Sequence, residues 1–222
     1  MGAVAETRTK VLVVEDHAAL GEALQFAFGF EPDIEVVGLA ATVAAAVEMS
    51  AAERPDVVLM DVNLPDGNGI DATRQVLEVH PSSAVVVLTA HADPVFALRA
   101  ADAGAAGFVA KDVRMAKIVG AVRAVRAGGV AVDPTVLRSL LAQAAAGAPP
   151  AAPDGGPAAD HRPVLELLGH GEGSEGIADK LGLDAAGAAA VVTATLADLG
   201  ARSPLEALVI AARRGLFVPG PD

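Results

Sequence analysis

The 222-residue chain predicts a doubly wound α/β domain built on a parallel sheet, followed by a small all-helical domain. Three observations predict it. Short apolar runs alternate with longer amphipathic stretches over residues 9–128. The segment GAPPAAPDGGPAAD (147–160) is too rich in Pro, Gly and Ala to bury a core, and reads as a tether. Beyond it, Leu, Ile and Val recur at helical spacing, with Gly at the breaks.

Strands are expected at Val11–Val14, Glu35–Ala40, Val57–Met60, Val85–Leu88 and Gly107–Ala110. Each is nearly continuous in apolar residues, as a parallel strand covered on both faces must be. Helices are expected between them, at about 18–29, 42–53, 68–79, 94–103 and 113–127. Five such βα units in about 120 residues match a flavodoxin-like order. No GxGxxG follows the first strand, which argues against a dinucleotide site. Residues 133–146 (DPTVLRSLLAQAAA) read as a short helix with Pro134 at its start. Residues 129–160 are therefore expected to be a linker helix and tether. Residues 161–222 are expected to fold as four short helices.

Composition narrows the function. Hydrophobic residues make up 53% of the chain, much of it Ala, yet no run approaches the roughly 18 apolar residues of a membrane span. The N-terminus, MGAVAETRTK, lacks the apolar core of a signal peptide, so a cytoplasmic protein without a membrane partner is expected. Cys is absent, which excludes disulfides, thiolate metal sites and a Cys nucleophile. The net charge of −12 opposes broad attraction to nucleic acid or to anionic membranes.

Four of the expected strands deliver a functional side chain at or just past their C-terminal end: Glu15 and Asp16, Asp61, Thr89, and Lys111. In a parallel α/β sheet these ends share one edge, where ligands bind. Taken singly, an Asp after a strand is usually a helix cap, a Thr there is structural, and a Lys is a solvated surface group. Together they make a magnesium-assisted phosphoryl-transfer site. Asp61 can attack phosphorus and carry the group as an acyl phosphate. Asp16 and Asp61 can each give Mg²⁺ one oxygen, Glu15 can hold a coordinated water, and the Asn63 carbonyl lies two residues beyond Asp61. Lys111 can neutralise one phosphoryl oxygen, and Thr89 can donate a hydrogen bond to another. Pro65-Asp66-Gly67 supplies a tight turn from the site into the next helix.

Residues 9–128 resemble a response-regulator receiver domain of two-component signalling, through VVEDH (13–17), LMDVNLPDGNGID (59–71), VLTAH (87–91) and GFVAKD (107–112). The resemblance implies phosphorylation of Asp61 by a sensor histidine kinase. It also implies Mg²⁺ at Asp16, Asp61 and the Asn63 carbonyl with Glu15 assisting, and phosphoryl contacts from Thr89 and Lys111. Phe108 takes the place of the switch aromatic, which turns inward as Thr89 moves toward the phosphate. Ala90 is small and leaves access for the phosphodonor. A receiver of this kind is a switch, not a free-standing enzyme: its chemistry is its own phosphorylation and slow dephosphorylation. Its output is often dimerisation, here as a homodimer or as a heterodimer with another regulator.

The tail resembles a LuxR/NarL-type helix-turn-helix domain, through VLELLGHG (164–171), GIADKLGL (176–183) and LADLGARSPLEALVIAARRGL (196–216). The resemblance implies a recognition helix from about Asp184 to Leu199, with Ala189, Val192, Thr193 and Thr195 as its candidate contact residues. It further implies Lys near Ala189, His near Val191, a basic residue near Asp198 and Lys at the place of Glu175, and this chain has none of these. From residue 160 onward five cations face nine carboxylates, a net charge of −4. Base edges are read by Arg, Lys, Asn, Gln or paired acceptors, and phosphates by Lys and Arg. Two outputs therefore stand open. One is transcription control through DNA; the other is a phosphorylation-controlled protein contact made by a helix-turn-helix that does not itself hold DNA.

Overall fold

The computed structural model describes residues 8–91, 93–146, 148 and 161–216. The first half alternates strand and helix: β1 (Thr9–Val14), α1 (Ala18–Phe28), β2 (Ile34–Ala40), α2 (Val43–Glu53) and β3 (Val57–Asp61). A small hairpin follows, β4 (Asn63–Leu64) and β5 (Gly67–Asn68), and then α3 (Gly69–Val79), β6 (Ala84–Thr89), α4 (Pro94–Asp102), β7 (Gly107–Ala110) and α5 (Met115–Arg126). All of the main strands pair in parallel, in the order β2-β1-β3-β6-β7, with β8 (Ala131–Val132) added at the edge. The five anticipated βα units are present.

Two elements were not anticipated. β8 pairs Ala131 with Gly107 and Val132 with Phe108 as a sixth strand. Two residues are too few to carry a strand periodicity. The expected tight turn at Pro65-Asp66-Gly67 closes the β4–β5 hairpin. The Asp66 carboxylate leaves that hairpin to accept from the N–H groups of Val43 (2.7 Å) and Ala44 (3.1 Å), at the start of α2. These hydrogen bonds hold the Asp66 carboxyl below its ordinary value.

Strand side chains alternate between two apolar layers, as the period of two requires. Val11, Val13, Val57, Leu59, Val86 and Leu88 pack with α1 and α5. Leu12, Val14, Val58, Met60, Val85 and Val87 face the other layer with α2, α3 and α4. That second layer does not stop at residue 128. It continues into α6 (Pro134–Ala145), whose Leu137, Leu140, Leu141 and Ala144 are buried, and on into the helical tail. The residues expected to form a linker helix thus contribute both an edge strand and a core helix. The tether sequence, apart from Ala148, lies outside the described residues.

The tail is α7 (Arg162–Gly169), α8 (Ser174–Leu181), α9 (Ala185–Leu199) and α10 (Pro204–Arg213). Sharp chain reversals between them use left-handed glycines, Gly182 and Gly200. Asp184 caps α9 through Gly187 N–H, and Ser203 caps α10 through Glu206 N–H. The tail sits against the first half through α10. The Arg213 guanidinium grips both oxygens of Asp102 at 2.6 and 2.9 Å. Arg202 donates to the Asp102 carbonyl at 2.9 Å, and Ser203 Oγ donates to the Ala105 carbonyl at 2.8 Å. Ser174 N–H reaches the Ala127 carbonyl at 2.8 Å. Gly104, with φ of +95°, sits in the left-handed region, where its lack of a side chain also makes room for Arg202 and Leu77. Among the described residues, no single helix is long and apolar enough to cross a membrane.

Candidate functional site

β1, β3, β6 and β7 end on one edge and bring Glu15, Asp16, Asp61, Thr89 and Lys111 there. Glu15 and Asp61 are only 6% and 1% exposed, which is rare for carboxylates without partners. The Lys111 ammonium lies 2.7 Å from Glu15 Oε2 and 2.7 Å from Asp61 Oδ2. Among the described residues it is the only close partner of those two buried oxygens. Burial works to lower the Lys111 pKa. The hydrogen bonds to Asp61 and Glu15 outweigh it and hold the ammonium above the ordinary lysine value. Lys111 is therefore charged at neutral pH.

The second oxygen of Asp61, Oδ1, accepts from Asn63 N–H at 3.2 Å. This holds the Asn63 backbone beside the Asp61 carboxylate. Gly69 supplies a further constraint. Its N–H donates to the Val62 carbonyl at 2.8 Å, and a Cβ there would lie 1.8 Å from the Asp61 carbonyl oxygen. Only glycine lets the start of α3 approach the loop after β3 so closely. Sequence reasoning did not assign Gly69 this role; its place eight residues after Asp61, opening a helix, was the available signal.

Asp16 is exposed at the mouth of the site, beside His17. His17 Nδ1 lies 2.9 Å from Asp16 Oδ1 and 3.2 Å from Glu15 Oε1. Glu15, Asp16, His17 and Asp61 each offer one ligand atom, all within 4.8 Å of one another. His17 was not among the expected metal residues, although its adjacency in VVEDH places it there. Three carboxylates against one lysine leave a formal charge of −2, partly buried. That surplus and the oxygen donors fit a hard divalent cation such as Mg²⁺.

Thr89 is buried, and its hydroxyl donates to the His91 carbonyl at 3.0 Å while accepting from His91 N–H at 3.2 Å. A cleft of about 470 Å³, lined by Ala90, His91, Asp93, Pro94, Ala110 and Asp112, adjoins it. Phe108 is already inside, 2% exposed, in the apolar layer shared with α6 and the tail.

The candidate recognition helix is α9, and its four singled-out residues divide evenly. Ala189 and Thr193 are on the exposed side, and the Thr193 hydroxyl is turned back onto the Ala189 carbonyl at 2.8 Å. Val192 and Thr195 face inward, 6% and 0% exposed. Thr195 Oγ1 donates to the Val191 carbonyl and lies 3.2 Å from His161, so neither residue is free to touch a partner surface. An Ala-rich helix gives little contrast between its faces, which is why sequence alone did not show which way they point. Three cations of the tail are already spent within the chain: Lys180 on Glu172, Arg202 on Glu206, and Arg213 on Asp102.

Comparison with known proteins follows the same division. A family model described as the response regulator receiver domain matches residues 11–123. The chain is 35% identical over 202 residues to the DNA-binding transcriptional activator DevR/DosR of Mycobacterium tuberculosis (strain ATCC 25618 / H37Rv), covering 91% of this chain and 93% of that protein. A two-component response regulator of the LuxR family from Aurantimonas sp. SI85-9A1 superposes with a TM-score of 0.58 at 31% identity, covering 62% of this chain and 98% of that one. The RcsB response regulator of Salmonella typhimurium, at 21% identity, shares the fold over 91% of this chain with a TM-score of 0.56.

Proposed function

This chain belongs to the response regulators, of the NarL/LuxR type, and on that premise we propose that Asp61 is its phosphoacceptor and that phosphorylation controls the output of the helical tail in transcription. The observation that carries the reading is the buried Asp61 carboxylate, held beside Glu15, Asp16 and the Lys111 ammonium.

The chemistry follows from that arrangement. An oxygen of Asp61 bonds to phosphorus as the bond to the sensor kinase's histidine nitrogen breaks, and the electron pair returns to the imidazole. Glu15, Asp16, Asp61 and the Asn63 carbonyl would hold Mg²⁺, which offsets the charge gathering on the transferred group. Lys111 is already within 2.7 Å of Asp61 and meets one phosphoryl oxygen without a large movement. The Thr89 hydroxyl exchanges its bond to the His91 carbonyl for another phosphoryl oxygen. This exchange moves the end of β6 against Phe108 and α4. α4 is covered by α6 and α10, so the signal reaches the tail through direct contact. Dimerisation, with a second copy or with another regulator, is the output expected from release of that contact.

The test is labelling by acetyl phosphate with Mg²⁺. The native chain takes up one phosphoryl group, and Asp61→Asn takes up none while keeping its fold. Labelling of that variant would reject Asp61 as the acceptor.

A second reading of the output rests on a specific observation. The outward side of α9 carries Ala185, Ala186, Ala189, Ala190, Thr193 and Ala194, with no Arg, Lys, Asn or Gln among them. On this reading the tail contacts a protein, and any DNA contacts come from the partner. Binding of the beryllofluoride-activated chain to genomic fragments at about 50 and 200 mM salt separates the two. Specific binding with a steep salt slope supports direct DNA reading; absence of binding in both states supports the protein contact.

A further inference from the structure

At the β8 edge of the sheet lies a cleft of about 380 Å³ whose lining includes no residue of the acidic cluster. Its walls are apolar, with Ala121 and Ala124 from α5, Val132 from β8, and Pro134 and Val136 from the start of α6. Three features distinguish it from an ordinary packing gap.

The first is Gly120, which lines it in the middle of α5. Glycine weakens a helix relative to alanine, so its presence normally answers a local need. Here there is none: its φ is not positive, and a Cβ built on it meets nothing within 4 Å. What the missing side chain does is widen the cleft. The second is Lys117, one turn earlier on α5 and also on the lining. Among the described residues it has no ion-pair partner. The one carboxylate on the rim, Asp133, is engaged in capping α6 through Thr135 N–H. The third is the edge of β7. β8 pairs only with Gly107 and Phe108, so Val109 and Ala110, which also line the cleft, have no strand partner on that side. Two residues of free edge are too short to seat an added strand of ordinary length, but they offer polar groups to a small molecule.

We propose that this cleft binds a small amphipathic carboxylic acid, its apolar body against the α5 and α6 walls and its carboxylate at Lys117. The volume is in the range of small-molecule sites, and the lining has the expected composition: mostly apolar, with a few polar groups that fix orientation. The lining holds none of Glu15, Asp16, Asp61, Thr89 and Lys111, and it shares Phe108 with the proposed switch.

The test uses the full chain, labelled with ¹⁵N, titrated with 4-phenylbutyrate and with its neutral counterpart 4-phenyl-1-butanol. Saturable binding is expected, with amide shifts concentrated in residues 107–136. Gly120→Leu, which fills the opening, should weaken both ligands by at least about tenfold. Gly120→Ala, a smaller change in a better helix former, should weaken both in the same direction. Lys117→Met should weaken the acid by about tenfold and leave the alcohol within about twofold. Thermal melting confirms that each variant folds. The proposal is overturned if shifts fall elsewhere, if binding does not saturate below about 10 mM, or if Gly120→Leu binds as the native chain does. Equal weakening of acid and alcohol by Lys117→Met removes the assignment of an anion. Saturation of the same residues by an extended peptide, with none by the acid, overturns the proposal in favour of a peptide site.

Discussion

Along the strand-end edge, Glu15 and Asp61 are held out of water beside a single lysine, whereas the outward side of α9 presents Ala189, Ala190, Thr193 and Ala194 to solvent. Burying two carboxylates opposes folding unless they are paired, so a site that keeps them does so for what they bind. Exposed methyl groups carry almost no such penalty, and an alanine surface can persist with or without a task. The edge is therefore informative residue by residue, while the helix informs mainly through what its inward side holds together.

The sharpest challenge to this contrast is Asp61→Asn, for which complete loss of acetyl-phosphate labelling is expected with native circular dichroism. Gly69→Ala comes next. The added methyl collides with the Asp61 carbonyl, so about 3 kcal/mol of stability should be lost in urea unfolding, with slower labelling as the loop shifts. A stable, normally labelled Gly69→Ala protein would mean that the loop after β3 is more accommodating than its geometry implies. On α9 the two sides should respond differently. Val192→Ala should cost about 2 kcal/mol, and Ala189→Ser no more than about 0.5 kcal/mol. Equal effects would erase the distinction between inward and outward sides. The smallest effect is expected at the half-exposed pair joining the tail to α4. Arg213→Ala should cost about 0.5 kcal/mol in thermal melts, and the loss should shrink as salt is added.

The edge was legible because its residues interrupt a pattern. A polar side chain that ends an all-apolar strand stands out, and four such interruptions in one parallel sheet share an edge by topology alone. Those residues do converge: Glu15, Asp61 and Lys111 lie within ion-pair distance, with Asp16 and Thr89 beside them. What escaped the sequence depends on partners distant in the chain. Asp66 caps a helix 23 residues earlier, and Arg213 finds Asp102 at a separation of 111 residues. Neither spacing leaves a periodic trace. β8 is too short for one. The orientation of Val192 and Thr195 was hidden for the opposite reason, since a helix that is apolar on all sides does not announce its phase.

The apolar layer that runs from β3 through α4 and α6 into α10 crosses the point where the sequence suggests one domain ends. Its consequence is cooperativity. Heat or urea should melt both halves in a single transition, because exposing α10 strips cover from α4 and α6 at once. A fragment ending near residue 128 would leave those side chains facing water and should aggregate. A chain nicked between residues 149 and 160, by contrast, should stay together as two pieces, each completing the other's interior.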